Sequence, residues 1–245
     1  MIKKQLRELK EIVYMANMEL YDRGLVIHTF GNVSGIDRDQ GIIAIKPSGV
    51  DYSELSPENI VLVTLDGEIV ESELNPSTDT PTHIELYRAF PEIGGVVHTH
   101  SRYATSWAQA NKTVPCFGTT HADYFFGEIP CTRLLTEEEV RENYEANTGK
   151  LIAETFRENS IDYGKMRAVL VGGHGPFTWG KDPEEAVFLS SMLEEVSYTA
   201  YMSLLINPEL QPIPRFLLEK HYLRKHGVHA YYGQRRKRRH KQNPN

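Results

Sequence analysis

"GGVVHTHSRYATSWAQA", residues 94–110, is an apolar run that ends in His-Thr-His and passes into a helix-like stretch. Burying an unpaired imidazole is costly, so two histidines at the end of a hydrophobic strand call for an explanation. Side chains two apart on a strand share a face. His98 and His100 therefore point the same way, with ring nitrogens able to meet one atom between them. Two histidines are half of a zinc shell. A pair of partly solvated rings at a strand end is the plainer alternative.

A second apolar segment, "VLVGGHGPFTWG" at 169–180, carries His174 among glycines. If two strands of one sheet bring their ends together, His98, His100 and His174 supply three nitrogen ligands. They leave a position open, the pattern of a catalytic and not a structural metal. "NPSTDTPTH" at 75–83 adds Asp79 just ahead of a helix start, as a carboxylate ligand or base. The glycines beside His174 admit close approach of neighbouring backbone. "TFGNVSG" at 29–35, "KPSG" at 46–49 and "NPSTD" at 75–79 are loops of hydroxyl, amide and glycine residues, one with Lys46. Such loops can present N–H groups and hydroxyls to phosphate oxygens, and a helix N-terminus adds a favourable dipole. The same residues are also what ordinary turns use.

Outward from these segments the chain reads as one domain. A helix over roughly 2–22 repeats Leu6, Leu9, Val13, Ala16 and Leu20 at helical spacing and stops near Gly24. Its threaded charges argue against a signal peptide. Two short strands flank the polar turn after Asn32, and Asp66-Gly67 marks a hairpin in "NIVLVTLDGEIVES". Thr80-Pro81 starts a helix, with the threonine as N-cap. Residues 136–159 are helical, with an interruption expected at Gly149; 182–206 form a long helix and 214–227 a shorter one. Strands and helices interleave, and hairpins occur too, so a mixed sheet with helices on its faces is expected.

Forty per cent hydrophobic and 24% charged residues are ordinary for a soluble globular protein. No apolar run reaches membrane-spanning length. Cys116 and Cys131 form no CxxC pair, which fits a reduced cytoplasm. The tail "RRKRRHKQNPN" from Arg235 holds six of the 27 Lys/Arg residues, leaving 21 against 33 acidic ones in the body. A body that acidic does not suit nucleic acid. The tail, 235–245, is expected to be a disordered extension of a 1–234 domain, with RNA or an acidic neighbour as the alternative partner.

The segments at 29–52, 76–105, 118–133, 169–180 and 220–234 together resemble the class II aldolase/epimerase family, and "TTHADYF" and "KHYLRKHG…AYYGQ" resemble its epimerase branch. The resemblance runs from the first helix to about Gln234. It implies a three-layer α/β/α fold around a central mixed, largely antiparallel sheet, and a homotetramer with active sites between subunits. It implies Zn2+, or another divalent ion such as Mn2+, held by His98, His100 and His174 with Asp79 at the carboxylate position. Substrate phosphate would lie against Ser48, Gly49, Ser77 and Thr78, with Gly31, Asn32 and Lys46 nearby. Asp123 and Tyr232 match the acid/base positions. Thr78 stands where many relatives have a second serine, and keeps the hydroxyl.

The implied activity is epimerisation of L-ribulose 5-phosphate to D-xylulose 5-phosphate at C4, in L-arabinose catabolism. The C4 hydrogen is not acidic, so a retro-aldol route is implied. The metal acts as Lewis acid at the carbonyl end, the C3–C4 bond breaks, the aldehyde turns its other face, and the bond re-forms. Within the same family an L-fuculose-phosphate-type aldolase that releases its fragments, and an ascorbate-pathway epimerase, stay open. A binding module like the adducin head would have eroded metal ligands, and here all are intact.

Overall fold

A computed structural model describes residues 2–227 together with 230 and 231. Tyr232 and the basic tail, with the expected domain boundary at 234, lie outside the described residues. Helix α1 (Ile2–Asp22) leads into β1 (Asn32–Asp37) and β2 (Ile42–Ile45). Two 3-10 turns, Tyr52–Glu54 and Pro57–Asn59, precede β3 (Val61–Thr64) and β4 (Ile69–Glu71). Then come α2 (Thr80–Ala89), β5 (Gly95–His98), α3 (Arg102–Gln109), the single turn α4 (Thr119–Ala122) and α5 (Glu137–Glu158). The chain closes with β6 (Ala168–Leu170), β7 (Pro176–Gly180), α6 (Pro183–Ile206) and α7 (Arg215–His226).

The strands form one seven-stranded sheet in the order β4-β3-β2-β1-β5-β7-β6. Every ladder between these strands is antiparallel, and an isolated Cys131–Leu170 bridge is parallel. The expected largely antiparallel sheet is thus present, between two helical layers. Strand β5, "GVVH", is buried along its whole length, because each face meets a core. Val97 joins Val13, Ala16 and Leu20 of α1 and the start of α6 on one side. Val96 joins Leu86 and Tyr87 of α2, Ile152 and Phe156 of α5, Ala104 of α3 and the rest of α6 on the other. At roughly 1.5–3 kcal/mol per buried aliphatic or aromatic side chain, these two cores fix the register of the strand that carries His98.

That register places the site. Asn32 of β1 pairs with His98 of β5, and His98 pairs with Phe177 of β7, so one row of residues crosses three strands. No described helix is long and apolar enough to cross a membrane.

Three local expectations change. The N-cap of α2 is Asp79, one residue before Thr80, and its side chain makes no capping bond because its carboxylate is held by Asn32. The break in α5 falls at Asn143, whose φ of −162° and ψ of 83° are not helical; Gly149 is inside the helix. A Cβ on Gly149 would lie 2.6 Å from Cβ of Glu85 and 2.8 Å from the carbonyl of Thr82, so this glycine serves the close packing of α5 on α2. "VLVGGHGPFTWG" is a hairpin, with His174 in the turn between β6 and β7.

Candidate metal and phosphate site

The rings of His98, His100 and His174 converge, with centroids 4.7–5.1 Å apart. Their offered nitrogens all lie within 4.8 Å of one another. His98 Nε2 is 3.1 Å from His100 Nε2. Two nitrogens each about 2.05 Å from one tetrahedral ion would stand about 3.3 Å apart, so the spacing fits a shared zinc-sized ion. His98 Nδ1 donates to the carbonyl of Pro176 at 3.0 Å, which leaves Nε2 with its lone pair. The His98 ring is 99% buried and stacks on Phe177 at 4.2 Å, so packing as well as hydrogen bonding sets its plane.

Glycine makes the third ring reachable. Gly173, at φ +71°, turns the chain into His174, and a Cβ on Gly175 would sit 2.8 Å from the carbonyl of Thr99. Burial, followed by the neighbouring His98 and His100, pushes His174 down to about 3. Burial and His98 also lower His100. Both rings are therefore neutral near pH 7 and keep lone pairs for a cation.

Asp79 lines the wall of the same cavity, but its carboxylate is not among the donors that lie within 4.8 Å of one another, which are the three histidines alone. Burial works against its charge, but His98, His83 and the Asn32 amide together hold it below the usual carboxylate range. Asn32 Nδ2 donates to Asp79 Oδ2 at 2.7 Å and to Ser77 Oγ at 3.1 Å, so one buried amide ties the carboxylate to the next loop. Three converging imidazoles suit a divalent transition ion such as zinc, with the Asp79 carboxylate in the same cavity.

The two expected phosphate loops are strapped together. Pro47 and Pro76 form an antiparallel bridge, with Ser48 N–H donating to Asn75 O and Ser77 N–H to Lys46 O, each at 3.0 Å. Ser48, Gly49, Ser77 and Thr78 line the cavity, together with Gly31 and Asn32. Gly31 and Gly49 have φ of +81° and +69°, conformations that glycine adopts without strain. Lys46 is 99% buried; its ammonium donates to Val50 O at 2.6 Å and sits 4.9 Å from the Tyr52 ring. Burial lowers it to about 8, against the pull of Asp51, so it stays mostly cationic at neutral pH. The cavity holds about 370 Å³, at the small end of the range for ligand sites.

Asp123 is elsewhere. It caps α4 and does not line this cavity. Arg224 grips it in a fork, Nη2 to Oδ2 at 2.6 Å and Nε to Oδ1 at 3.0 Å. His221 Nδ1 adds a contact at 3.1 Å and Lys225 Nζ one at 3.6 Å. Burial opposes its charge, but the Arg224 and His221 bonds outweigh it and keep the carboxyl ionised. The chain therefore brings together eleven of the thirteen expected site residues, leaves Asp123 apart, and Tyr232 is outside the described residues.

Several cavity residues were not expected. Tyr144 and Glu145 enter from the break in α5, and Phe30 lies 5.9 Å from the His100 ring. A signal for the first pair existed: Asn143 is a good N-cap residue, and its Oδ1 accepts from Ala146 N–H. His221, Arg224 and Lys225 also stand three and four apart, one face of a helix, which marks a cationic patch aimed at an acid.

The sequence profile described as "Class II Aldolase and Adducin N-terminal domain" matches residues 11–201. Proteins named L-ribulose-5-phosphate 4-epimerase UlaF, from Salmonella paratyphi B and Salmonella typhi, are 52% identical over 230 residues, covering 94% of this chain and all of theirs. The fold is similar to that of a solved L-fuculose 1-phosphate aldolase, with a TM-score of 0.73 at 23% identity over 87% of this chain and 94% of that one. An L-fuculose-1-phosphate aldolase from Thermus thermophilus gives a TM-score of 0.63 at 27% identity, over 84% and 98%.

Proposed function

Because the chain belongs to the class II aldolase and adducin N-terminal domain family, we propose that it is a metal-dependent epimerase that converts L-ribulose 5-phosphate to D-xylulose 5-phosphate at C4. The observation that carries this reading is one cavity holding three converging imidazoles, a carboxylate and two strapped hydroxyl loops. The epimerase reading, in preference to a fragment-releasing aldolase, draws on identity to the named epimerases along nearly the whole chain.

The substrate's two ends need different partners. The phosphate lies against Ser48, Gly49, Ser77 and Thr78, with the buried Lys46 ammonium supplying charge. The keto end faces His98, His100, His174 and Asp79. A bound divalent ion, zinc or manganese, supplies Lewis acidity there. Cleavage of C3–C4 leaves glycolaldehyde phosphate still anchored through its phosphate. It turns its other face by rotation within the cradle, and re-addition inverts C4. Loop and keto-end residues thus hold both fragments, which re-addition on the opposite face requires.

Proton transfer on two faces falls to Asp123 and Tyr232. Asp123 is remote from its own chain's cavity, which supports its serving a neighbouring subunit in a closed homotetramer. Leu205, Ile206 and Phe216, exposed at 60%, 83% and 74%, offer apolar surface for such an assembly. The free thiols Cys116 and Cys131 suit a reducing cytoplasm. L-Arabinose catabolism and ascorbate catabolism can each use this reaction, and growth of a deletion strain on either carbon source separates them.

The decisive experiment is conversion of L-ribulose 5-phosphate with and without a chelator. D-Xylulose 5-phosphate should form, stop with chelation and return with Zn2+ or Mn2+. Release of free glycolaldehyde phosphate as the main product would mean an aldolase, and full activity in the chelator would remove the metal from the reading.

A further inference from the structure

We propose that Tyr144 is a positioning residue for the third candidate metal ligand, His174; this rests on the reading that the three histidines hold a metal. Tyr144 Oη lies 3.1 Å from His174 Nδ1, across 30 residues of chain. A neutral imidazole has one N–H and one lone pair. With Nδ1 as the N–H that donates to the phenol oxygen, the lone pair of Nε2 is left to face His98 and His100. The phenol sets both the tautomer and the tilt of the ring.

The other two ligands are held differently. A backbone carbonyl, that of Pro176, fixes His98, and Phe177 stacks beneath it. His100 follows His98 just past the end of β5 and meets it at 3.1 Å. His174 sits in a glycine-flanked turn, where backbone alone holds a ring poorly. A side chain from another element supplies what the turn lacks.

The fold makes a special provision to put Tyr144 there. Helix α5 breaks at Asn143, immediately before it. An interior break leaves N–H groups after it and carbonyls before it without helical partners, and here the Asn143 and Asn147 side chains satisfy one of each. Asn143 Oδ1 accepts from Ala146 N–H at 3.3 Å, Thr148 Oγ1 donates to Tyr144 O at 2.8 Å, and Thr82 Oγ1 donates to Glu145 O at 2.6 Å. Asn147 Nδ2 donates to Glu139 O at 2.8 Å, which caps the end of the first half. Four side-chain bonds surround the break, so it is a built joint that delivers Tyr144 and Glu145 to the cavity.

The test is Tyr144→Phe, which keeps the ring and removes the oxygen. Zn2+ affinity, measured by competition with a chromophoric chelator, should fall about ten- to a hundredfold, the usual effect of losing an outer partner of a ligating histidine. The visible spectrum of the Co2+-loaded variant should differ from that of wild type, a change that a purely structural role would not produce. Wild-type affinity together with an unchanged Co2+ spectrum would overturn the proposal. Nitrogen NMR of the wild-type Zn2+ protein gives an answer that needs no variant: Nδ1 of His174 should carry the proton, and ligation through Nδ1 would overturn the proposal equally. If wild type binds no Zn2+ at all, the metal reading fails first, and the two failures are distinct.

Discussion

Asn32→Ala removes a side chain that touches both halves of the candidate site. Its amide donates to the Asp79 carboxylate at 2.7 Å and to Ser77 Oγ at 3.1 Å, with 2% of the residue exposed. The first bond is charge-assisted and contributes about 1.5–3 kcal/mol; the second is neutral and contributes about 0.5–1.5. Against these stands Asn32 Oδ1, a buried acceptor without a partner among the described residues, whose removal returns about 1–2 kcal/mol. The net loss is therefore up to about 3.5 kcal/mol, about 2 kcal/mol at the centre of these ranges. Both lost bonds end on site residues, so the loss should appear as about ten- to a hundredfold weaker Zn2+ binding, with a raised KM for the phosphorylated sugar. Chelator competition and steady-state kinetics on the same preparation measure the two. Asn32→Asp is the sharper probe, because it sets a second carboxylate against Asp79 Oδ2, where two like charges cannot both stay ionised. It should be worse than alanine. Zn2+ affinity and KM at wild-type values in both variants would refute the coupling of Asn32 to the site.

Two further outcomes follow from groups outside the cavity. Burial pushes His121 down to about 4, against the opposing effect of its 2.7 Å bond to Gly127 O. From about pH 6.5 down to about 4 the unfolded chain takes up a proton that the native state refuses, so stability falls as pH falls, by up to about 1.4 kcal/mol per unit. Urea unfolding of His121→Gln at pH 4.5, 5.5 and 7 should show that much less slope, and a profile parallel to wild type would count against it. In the proposed ring, Asp123→Asn and Tyr232→Phe refolded as an equal mixture should recover about a quarter of wild-type activity, because random order pairs the intact residues at about a quarter of interfaces. Recovery no better than the mean of the two parents, with subunit exchange verified by mass spectrometry, would place both residues in one subunit.

The sequence displayed the parts of the site that depend on local pattern. Period-two alternation put His98 and His100 on one face, and hydroxyl and glycine loops stood out around Ser48 and Ser77. What it did not display depends on pairing between distant segments. Asn32 read as a phosphate neighbour because its loop is polar. Its contact with Asp79 follows from its register opposite His98, which two buried faces impose and no local motif announces. The Asn143 break was missed for a different reason. Gly149 is the stronger breaker by propensity, but tight packing against Thr82 and Glu85 holds it helical. Asp123 was expected to face the substrate, and its cage on α7 became visible only once the helix was folded beside α4.

That cage bears on what separates an epimerase from an aldolase. The span shared with the family, residues 11–201, contains every candidate metal ligand and both phosphate loops, and it ends before α7. Cleaving a bond beside a polarised carbonyl needs those shared parts and a base that takes the C4 hydroxyl proton. Re-forming it on the opposite face needs a second site of proton transfer, which the shared parts do not supply. Helix α7 brings His221, Arg224 and Lys225 to Asp123, and His226 Nε2 to its backbone carbonyl at 2.9 Å. A carboxylate held ionised by that many donors is a weak base, and a proton placed on it is quickly lost. On the proposed route the protonated form of Asp123 is therefore short-lived, on whichever face it serves. The proton taken from the C4 hydroxyl when C3–C4 breaks on one face has to be matched by one given to the new C4 hydroxyl when the bond re-forms on the other. On the proposed reading, what separates the two reactions is proton transfer by Asp123 and Tyr232, and the metal-binding histidines and phosphate loops supply the bond chemistry that both kinds of enzyme require.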